Sequence, residues 1–500
     1  MSRKIDGVGI DFGTYNTKIA LFQKGVSTTL RLRDIARPDG SIASFLYMRG
    51  DRAEIGNKAL KRWKKGDKNV HFRFKLNMFR QKEAERHAIT FLQTLKEHLL
   101  MIDGFSDIPF RFTHPNGWTA VEIGKFRDII VRSGFDVTSR FSCREPYAAG
   151  VWMLGLHNRT GGHFLVVDAG AGTLDISIVR ADDGSIEVRE EMDACREQAG
   201  SHIDEMIASH ILDREVRYEN PEDRRFLSEV EVAKIEINRG AEFYEIGDKE
   251  LDRRFIREAC GEFVSGITDI LEDVRERLTG ARISLEGIIP AGGSGNLFLI
   301  IEAIEKVFPE VSVLRPQTLM KESDDSIVLG AAQAAAGFRR IRECTKHPVC
   351  IAFRSGFVLG LEDLPHETMQ QGEKILIEVF PKNMPLPAKK KLDRLAGRLK
   401  LAYSSYPSIE FFIMKYPLGE IKKRNMPLNH KTVLHKRLWT ARAHGDDLEK
   451  LGEMQTEEIS FDIEEDEDRI VHIVLKGRGA EGWMRINSYE IGQLEKKAGS

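Results

Sequence analysis

Two segments of this 500-residue chain repeat one arrangement of apolar and polar positions. Near the start, a short apolar run leads into DFGTYNTKIALF (Asp11 to Phe22). Later, the run from Phe164 to Val167 leads into DAGAGTLDISIV (Asp168 to Val179). Each copy reads strand, Asp, Gly-containing turn, strand, the pattern of a hairpin with a carboxylate at its mouth. Glycine tolerates positive φ and lets a ligand come close, so the backbone N–H groups of such a bend can converge on an anion. Two copies predict two similar lobes facing one ligand.

Around the repeats the pattern is mixed α/β. Helical spacing of apolar positions covers Glu122 to Ser133, Asp204 to Arg214 and the long stretch from Arg254 to Leu278. A strand from Leu285 to Ile289 meets the turn AGGSGN, and a helix is predicted from near Leu297. The texture changes after Gly337. FRRIRECTKHPVCIAF (Phe338 to Phe353) reads as an interdomain linker. Beyond it the apolar residues alternate, in ILIEVF (Ile375 to Phe380), SIEFFI (Ser408 to Ile413) and EISFDI (Glu458 to Ile463), which predicts a β-sandwich. The run EEDEDR (Glu464 to Arg469), set between two such strands, reads as a solvated hairpin turn, and Lys389 to Lys391 as an exposed strand end.

Composition narrows the class. A chain of 500 residues exceeds what one core usually supports, and 41% hydrophobic with 30% charged residues fits a folded protein of two or more domains. The 75 basic and 77 acidic side chains are too balanced to steer the molecule to a polyanion, so neither nucleic acid nor an anionic membrane is an expected partner. No signal-peptide pattern and no apolar run of about eighteen residues occurs, so a cytoplasmic protein is expected, and a monomer. Five cysteines lack metal-ligand spacing and read as reduced structural thiols.

The chemistry gathers in three turns: Asp11 with Gly13, Asp168 with Gly170 and Gly172, and the GGSG turn at Gly292 to Gly295. All three suit phosphate or nucleotide. The third opens a helix, whose free N–H groups and close-approaching glycines place it near a base and sugar.

These turns resemble the phosphate-one, phosphate-two and adenosine motifs of the actin-like ATPase superfamily, and the chain is similar in particular to the DnaK-type heat-shock chaperones. REPYAAG (Arg144 to Gly150) and DDSIVLGAAQAAA (Asp324 to Ala336) resemble the two connecting helices, whose small residues would let them cross closely as a hinge. AGSHID (Ala199 to Asp204) resembles the segment after phosphate-two, and EVAKIEI (Glu231 to Ile237) the helix covering the adenosine. The resemblance implies an actin-like fold of two ribonuclease H-like lobes followed by a β-sandwich. The implied domains are residues 1–345 (nucleotide-binding ATPase), 346–356 (linker), 357–485 (peptide-binding-like sandwich) and 486–500 (tail).

It also implies roles for residues. Asp11 and Asp168 would hold Mg2+ largely through its waters. Thr14 and Tyr15 would supply backbone and hydroxyl contacts to the β and γ phosphates, with Gly13 also at the nucleotide, and Thr173 would touch the γ-phosphate. Lys75 matches the catalytic lysine, stabilising charge on the transferred phosphoryl group and positioning water, with Glu145 orienting that water or the metal shell. Gly170, Gly172, Gly200, Ser201, Glu231, Lys234, Gly292, Gly293, Ser294 and Asp324 complete the ATP/ADP site, and Asp175 supports it from behind. Three departures stand out: Ile235 where the family stacks an arginine on adenine, Ala171 in place of a phosphate-two glycine, and a shorter segment between Lys75 and Glu145.

Past the linker, FVLGLED (Phe357 to Asp363), VFPKNMPLPAKKK (Val379 to Lys391) and EISFDIEEDEDRIVHIVLKGRG (Glu458 to Gly479) resemble the family's peptide-binding sandwich. Ile409, Phe411 and Ile413 fall near its groove strand, as groove or as ordinary core residues. The helical lid is expected to be missing, because only about twenty residues follow the last recognisable strand. The implied function is a slow ATPase that couples nucleotide state to binding of unfolded or extended protein segments, with J-domain co-chaperone and exchange factor as further partners. A nucleotide-gated scaffold with little hydrolysis is the alternative. A sugar or acid kinase, or a filament former, would leave the C-terminal third unexplained.

Overall fold

The computed structural model describes residues 5–50, 52–102, 105, 108–136, 141–182, 185–188, 194–196, 198–315, 321–337, 340–342, 349–354, 366–368, 374–380, 388–396, 410–413, 441–442, 458–465, 471–479 and 482–491. The chain divides into two units, one of Met1–Trp118 with Arg127–Ile341, the other of Thr119–Phe126 with Arg342–Ser500.

The first unit holds two sheets of equivalent build. In one, the hairpin Gly7–Phe12/Asn16–Gln23 is flanked by Val26–Thr29 on one side and by Phe110–His114, running parallel to Gly7–Phe12, on the other; Ser142–Arg144 follows. In the other, the hairpin Gly161–Ala169/Leu174–Asp182 is flanked by antiparallel Ser185–Val188 and by parallel Leu285–Ala291. The internal repeat is thus a repeat of sheet topology. Asp11 stands opposite Lys18 in the first hairpin and Asp168 opposite Asp175 in the second.

Two helices join these sheets. Glu145–Leu156 buries Tyr147, Ala148, Ala149, Val151 and Met153 in one core with Val166, Val179 and Ile289 of the second sheet. Lys321–Ala335 packs Val328, Leu329 and Ala332 on Ala20 and Phe22 of the first. They meet at Gly330, where a Cβ would lie 1.8 Å from the Ala148 carbonyl oxygen. Gly9 is crowded in the same way, 2.4 Å from the Val328 carbonyl. Small residues therefore set how closely helix meets helix and helix meets sheet.

Beside the hairpins, the outer part of the first lobe shares an apolar core with the second. Trp63 stacks on Tyr218 at 6.0 Å, and the buried Arg224 guanidinium lies 5.2 Å over the Trp63 ring. Arg73 reaches Glu219 at 2.5 Å.

The predicted helix over Arg254 to Leu278 is two helices, Arg253–Ala259 and Gly261–Ala281. The break falls at Cys260, at φ −108° and ψ 17°, and Asp252 caps the first helix by accepting from the Phe255 N–H at 2.7 Å. Cys143 and Cys260 are buried, and burial pushes the Cys260 thiol up to about 12, which makes it unreactive.

The second unit contains two antiparallel sheets. One runs His366–Thr368, Lys374–Phe380, Val349–Arg354, Glu410–Ile413, Ala441–Arg442; the other Ala388–Ala396, Glu458–Glu465, Val471–Gly479, Gly482–Ile491. The stretch expected to be a linker is corrected at both ends. Arg340–Arg342 closes the edge of the second lobe's sheet, and Val349–Arg354 is an interior strand between Lys374–Phe380 and Glu410–Ile413. The continuously apolar VCIAF segment fits an interior strand, and pairing on both sides satisfies its backbone. Glu465 pairs with Val471, so EEDEDR begins in a hairpin strand, while Lys389 lies opposite Glu464. FVLGLED and Ile409 lie outside the described residues, and Phe411 and Ile413 sit in Glu410–Ile413.

Because nothing at the helix crossing can retreat from a methyl placed at Gly330, Gly330→Ala is expected to lower stability by about 2 kcal/mol or more, read as a shift in the denaturant midpoint at unchanged m-value. Gly280→Ala, a helical glycine with open space around it, should be neutral or stabilising in the same assay.

Candidate active site

The two hairpin mouths open into one compartment. Asp11, Gly13 and Thr14 line it from the first lobe, Asp168, Gly170, Gly172 and Thr173 from the second, and Lys75, Glu145, Gly292 and Gly293 complete it. A second compartment is lined by Gly200, Ser201, Glu231, Lys234 and Ser294; Tyr15, Asn16, Asp39, Ala171 and Gly293 belong to both.

The turns are held by contacts only glycine allows. A Cβ on Gly172 would come 3.0 Å from Thr14 Oγ1, so the tips of the two hairpins face each other across the cleft. Gly292 adopts φ +77°, and a Cβ there would lie 2.3 Å from Asp168 Oδ1. Gly200 N–H donates to the Gly170 carbonyl at 3.0 Å, Ser201 N–H to Ala171 at 2.9 Å and Ser294 N–H to Ala169 at 2.8 Å. The second hairpin turn, the start of helix Gly200–Leu212 and the glycine loop after Leu285–Ala291 are thereby laced into one backbone surface.

Carboxylates crowd the first compartment. Asp11 accepts from Thr113 Oγ1 at 2.7 Å. Asp168 is 3% exposed, and its Oδ2 has no hydrogen-bond partner among the described residues. Burial, then Glu145, Asp175 and Asp11, push its pKa well above the usual carboxylate range, while Lys75 opposes them. Lys75 and Glu145 form a buried ion pair at 2.8 Å, the ammonium lying 5.5 Å over the Trp118 ring. Burial nonetheless raises Glu145 to about 7, with Lys75 pulling down and Asp11 and Asp175 pushing up. The left-handed backbone of Arg73, φ 56°, starts the short helix Phe74–Asn77 that carries Lys75 inward.

This donor set fits a hard divalent cation. The compartment carries excess negative charge, and a buried carboxylate oxygen stands without a donor. Among the described residues no group of three or more His, Cys, Asp or Glu side chains is arranged to hold a metal. Phosphate oxygens and water would have to complete a shell begun by Asp11 and Asp168.

Several residues were not found from the sequence. Asn116 N–H donates to Asp175 Oδ1 at 3.0 Å, and its amide donates to Ser177 Oγ at 2.8 Å. Arg144, fully buried, donates to Asn116 Oδ1 at 2.9 Å and the Tyr147 hydroxyl at 2.8 Å. Asp175 is thus tied to the first lobe. Lys18 pairs with Asp325 at 2.7 Å and Thr29 donates to its other oxygen at 2.8 Å, fixing helix Lys321–Ala335 to the first hairpin. The Asp324 side chain lies outside the described residues. Lys234 is paired with Asp204 at 2.6 Å, and Asp204 also accepts from the Tyr218 hydroxyl at 3.1 Å. Burial raises Asp204 to about 6 even so. The Tyr15 hydroxyl is directed at Glu231 Oε2, 3.5 Å away, so of the two contacts expected of Tyr15 only the backbone one stays at the hairpin mouth. Its ring packs at 5.2 Å on Phe45, which turns the hydroxyl toward the second compartment.

Residues 135–343, which include Glu145, Asp168 and Lys234 of this geometry, match the family model described as Hsp70 protein, so the class this chain resembles is the Hsp70 type. Within that class the chain is similar to proteins described as chaperone protein HscA homolog. The one from Rickettsia bellii is 26% identical over 191 residues, 38% of this chain and 30% of the relative. Those from Burkholderia thailandensis and Burkholderia mallei are 28% identical over 208 residues and 29% over 203, again 38% of this chain and 31% of each relative. The chain therefore spans under a third of the length of these relatives. No helix among the described residues is long and apolar enough to cross a membrane.

Glu145 titrates higher when folded, about 7, than its ordinary 4.5. Between these values the folded chain keeps a proton that the unfolded chain releases, so this group lowers stability as pH rises through the window. In the ligand-free protein, Glu145→Gln is expected to flatten the fall in unfolding free energy between about pH 4.5 and 7, measured by denaturant titration at each pH.

Proposed function

We propose that this chain binds ATP with magnesium between the Asp11 and Asp168 hairpins, hydrolyses it slowly, and couples nucleotide state to the binding of extended apolar peptide by its C-terminal unit. One observation carries the nucleotide part. Two carboxylates occupy the same position in two topologically equivalent hairpins and line one compartment with a buried Lys75–Glu145 pair.

In this reading Asp11 and Asp168 hold the cation through its waters, and magnesium, when bound, offsets phosphate charge and fixes phosphate geometry. Backbone N–H groups at Gly13, Thr14, Tyr15, Gly170 and Gly172 cradle the phosphates, and Thr173 reaches the terminal one. Lys75, already desolvated, presents a fixed ammonium to charge that develops during transfer, where a preorganised cation is worth most. Glu145 holds Lys75 in place. With a pKa near neutrality it is also suited to take a proton from attacking water. Gly200, Ser201, Glu231, Lys234, Ser294 and Gly293 hold the nucleoside, a role the resemblance extends to Asp324. The glycine crossing at Gly330 serves as the hinge by which the lobes respond.

For the second unit the two antiparallel sheets support a β-sandwich, with the Glu410–Ile413 strand at the peptide groove. The relatives' description as chaperones supports a client-binding role. J-domain proteins and an exchange factor as partners, a cytoplasmic location and a monomeric state belong to the same reading. A second reading, a nucleotide-gated scaffold without useful hydrolysis, is favoured by Ile235, 37% exposed in the second compartment where an arginine was expected.

Single-turnover hydrolysis of MgATP separates the two. Lys75→Ala is expected to slow the chemical step by about a hundredfold or more while changing nucleotide affinity only a few-fold. If wild type and Lys75→Ala turn over at one rate, the scaffold reading stands. Apolar peptide should bind more tightly in ADP than in ATP, measured by fluorescence anisotropy; equal affinity in both states would remove the coupling.

A further inference from the structure

The second compartment contains three basic side chains, two from one helix and its end and one from the other lobe. Lys234 is neutralised by Asp204 at 2.6 Å, and Arg239 is paired with Glu236 at 2.9 Å at the exposed end of its helix. The third, Arg37, comes from the opposite lobe, on the loop between strands Val26–Thr29 and Ile42–Ala43. Its backbone is fixed by its N–H donating to the Ser41 carbonyl at 2.7 Å. Its guanidinium stands 5.9 Å over the Tyr15 ring and makes no ion pair within 4 Å among the described residues. Arg37 lines the second compartment and not the first, whereas its neighbour Asp39 lines both. The wall of that compartment contributed by helix Arg224–Asn238 presents the side of Ile235, which has no charge and no π-face.

A half-buried planar cation that feels the Asp39 carboxylate only from beyond ion-pair distance leaves the face of its guanidinium open to an occupant. A purine ring is such an occupant. Its face attracts a guanidinium, and its other side needs only an apolar surface such as Ile235 supplies. We infer that Arg37 is a specificity-determining residue of this site: its planar guanidinium holds the nucleoside half of the ligand from the first lobe, in place of a stacking cation on the Arg224–Asn238 helix. The inference rests on the nucleotide reading above and deepens it. The nucleoside then bridges the two lobes, as the phosphates do at the hairpins, so that losing the base weakens cleft closure as well as affinity.

The test compares MgATP with magnesium tripolyphosphate, which has the phosphates and no nucleoside, by titration calorimetry on the full chain. Arg37→Ala is expected to weaken MgATP about tenfold and to leave tripolyphosphate within twofold, and the latter also reports that the variant is folded. Arg37→Lys, which keeps the charge and loses the plane, should recover little of the MgATP affinity. Equal weakening of both ligands would assign Arg37 to the phosphates and overturn the inference, as would no change in either or full rescue by lysine. A wild-type chain that binds neither ligand removes the nucleotide reading itself; one that binds both, with Arg37→Ala indistinguishable, sinks only the role of Arg37.

Discussion

Four carboxylates, Asp11, Glu145, Asp168 and Asp175, act on one another in a buried space where Lys75 is the cation that opposes them. A protein interior tolerates such an arrangement only if the groups hold protons or if more positive charge arrives. Burial raises Asp168 and Glu145 for this reason. In the proposed reading a divalent cation with its phosphates supplies the missing charge and makes the ionised forms favourable. The rest of the first unit restrains these groups from moving apart.

The restraint is mostly backbone. Hydrogen bonds from Gly200, Ser201 and Ser294 lace three turns together, and Asn116 ties Asp175 to the first lobe. Glycine at positions 172, 200 and 292 keeps side chains out of the space between them. Glu145–Leu156 and Lys321–Ala335 cross tightly at Gly330, the place the proposed reading assigns to the hinge. At the other end of the cleft, the stacking of Trp63 on Tyr218 and of Arg224 on Trp63 joins the outer part of the first lobe to the second. Opening the lobes must unstack these rings and expose a buried guanidinium, so closure does not rest on ligand contacts alone.

Much of this was legible in the sequence because it depends on residues close together in the chain. Asp, glycine and flanking strands occur within a dozen positions, so each hairpin and its carboxylate could be read directly, and the repeat showed that there are two. The crossing helices were legible from a family resemblance, with which their small residues agree. What escaped was joined only by folding. Asn116 meets Asp175, Lys18 meets Asp325, and Tyr15 turns its hydroxyl to Glu231, each pair distant in sequence and unmarked by local pattern. The linker reading failed at Val349–Arg354 because a short apolar run flanked by charge looks the same whether it crosses between domains or pairs between strands. The single long helix failed at Cys260, where helical periodicity continues across a break in the backbone.

The nucleoside side follows a different logic from the phosphate side. At the hairpins, charge is concentrated and geometry is rigid, which suits stabilising a transition state. In the second compartment the cations are mostly neutralised, and Ile235 supplies area without directional attraction. Such a wall binds a base less tightly than a stacked arginine on the same helix, but weak base binding favours release of product. If the nucleoside is gripped instead from the first lobe, affinity and closure become one quantity: the base is held only while the lobes are together. In that reading the chain exchanges nucleotide by opening rather than by loosening individual contacts.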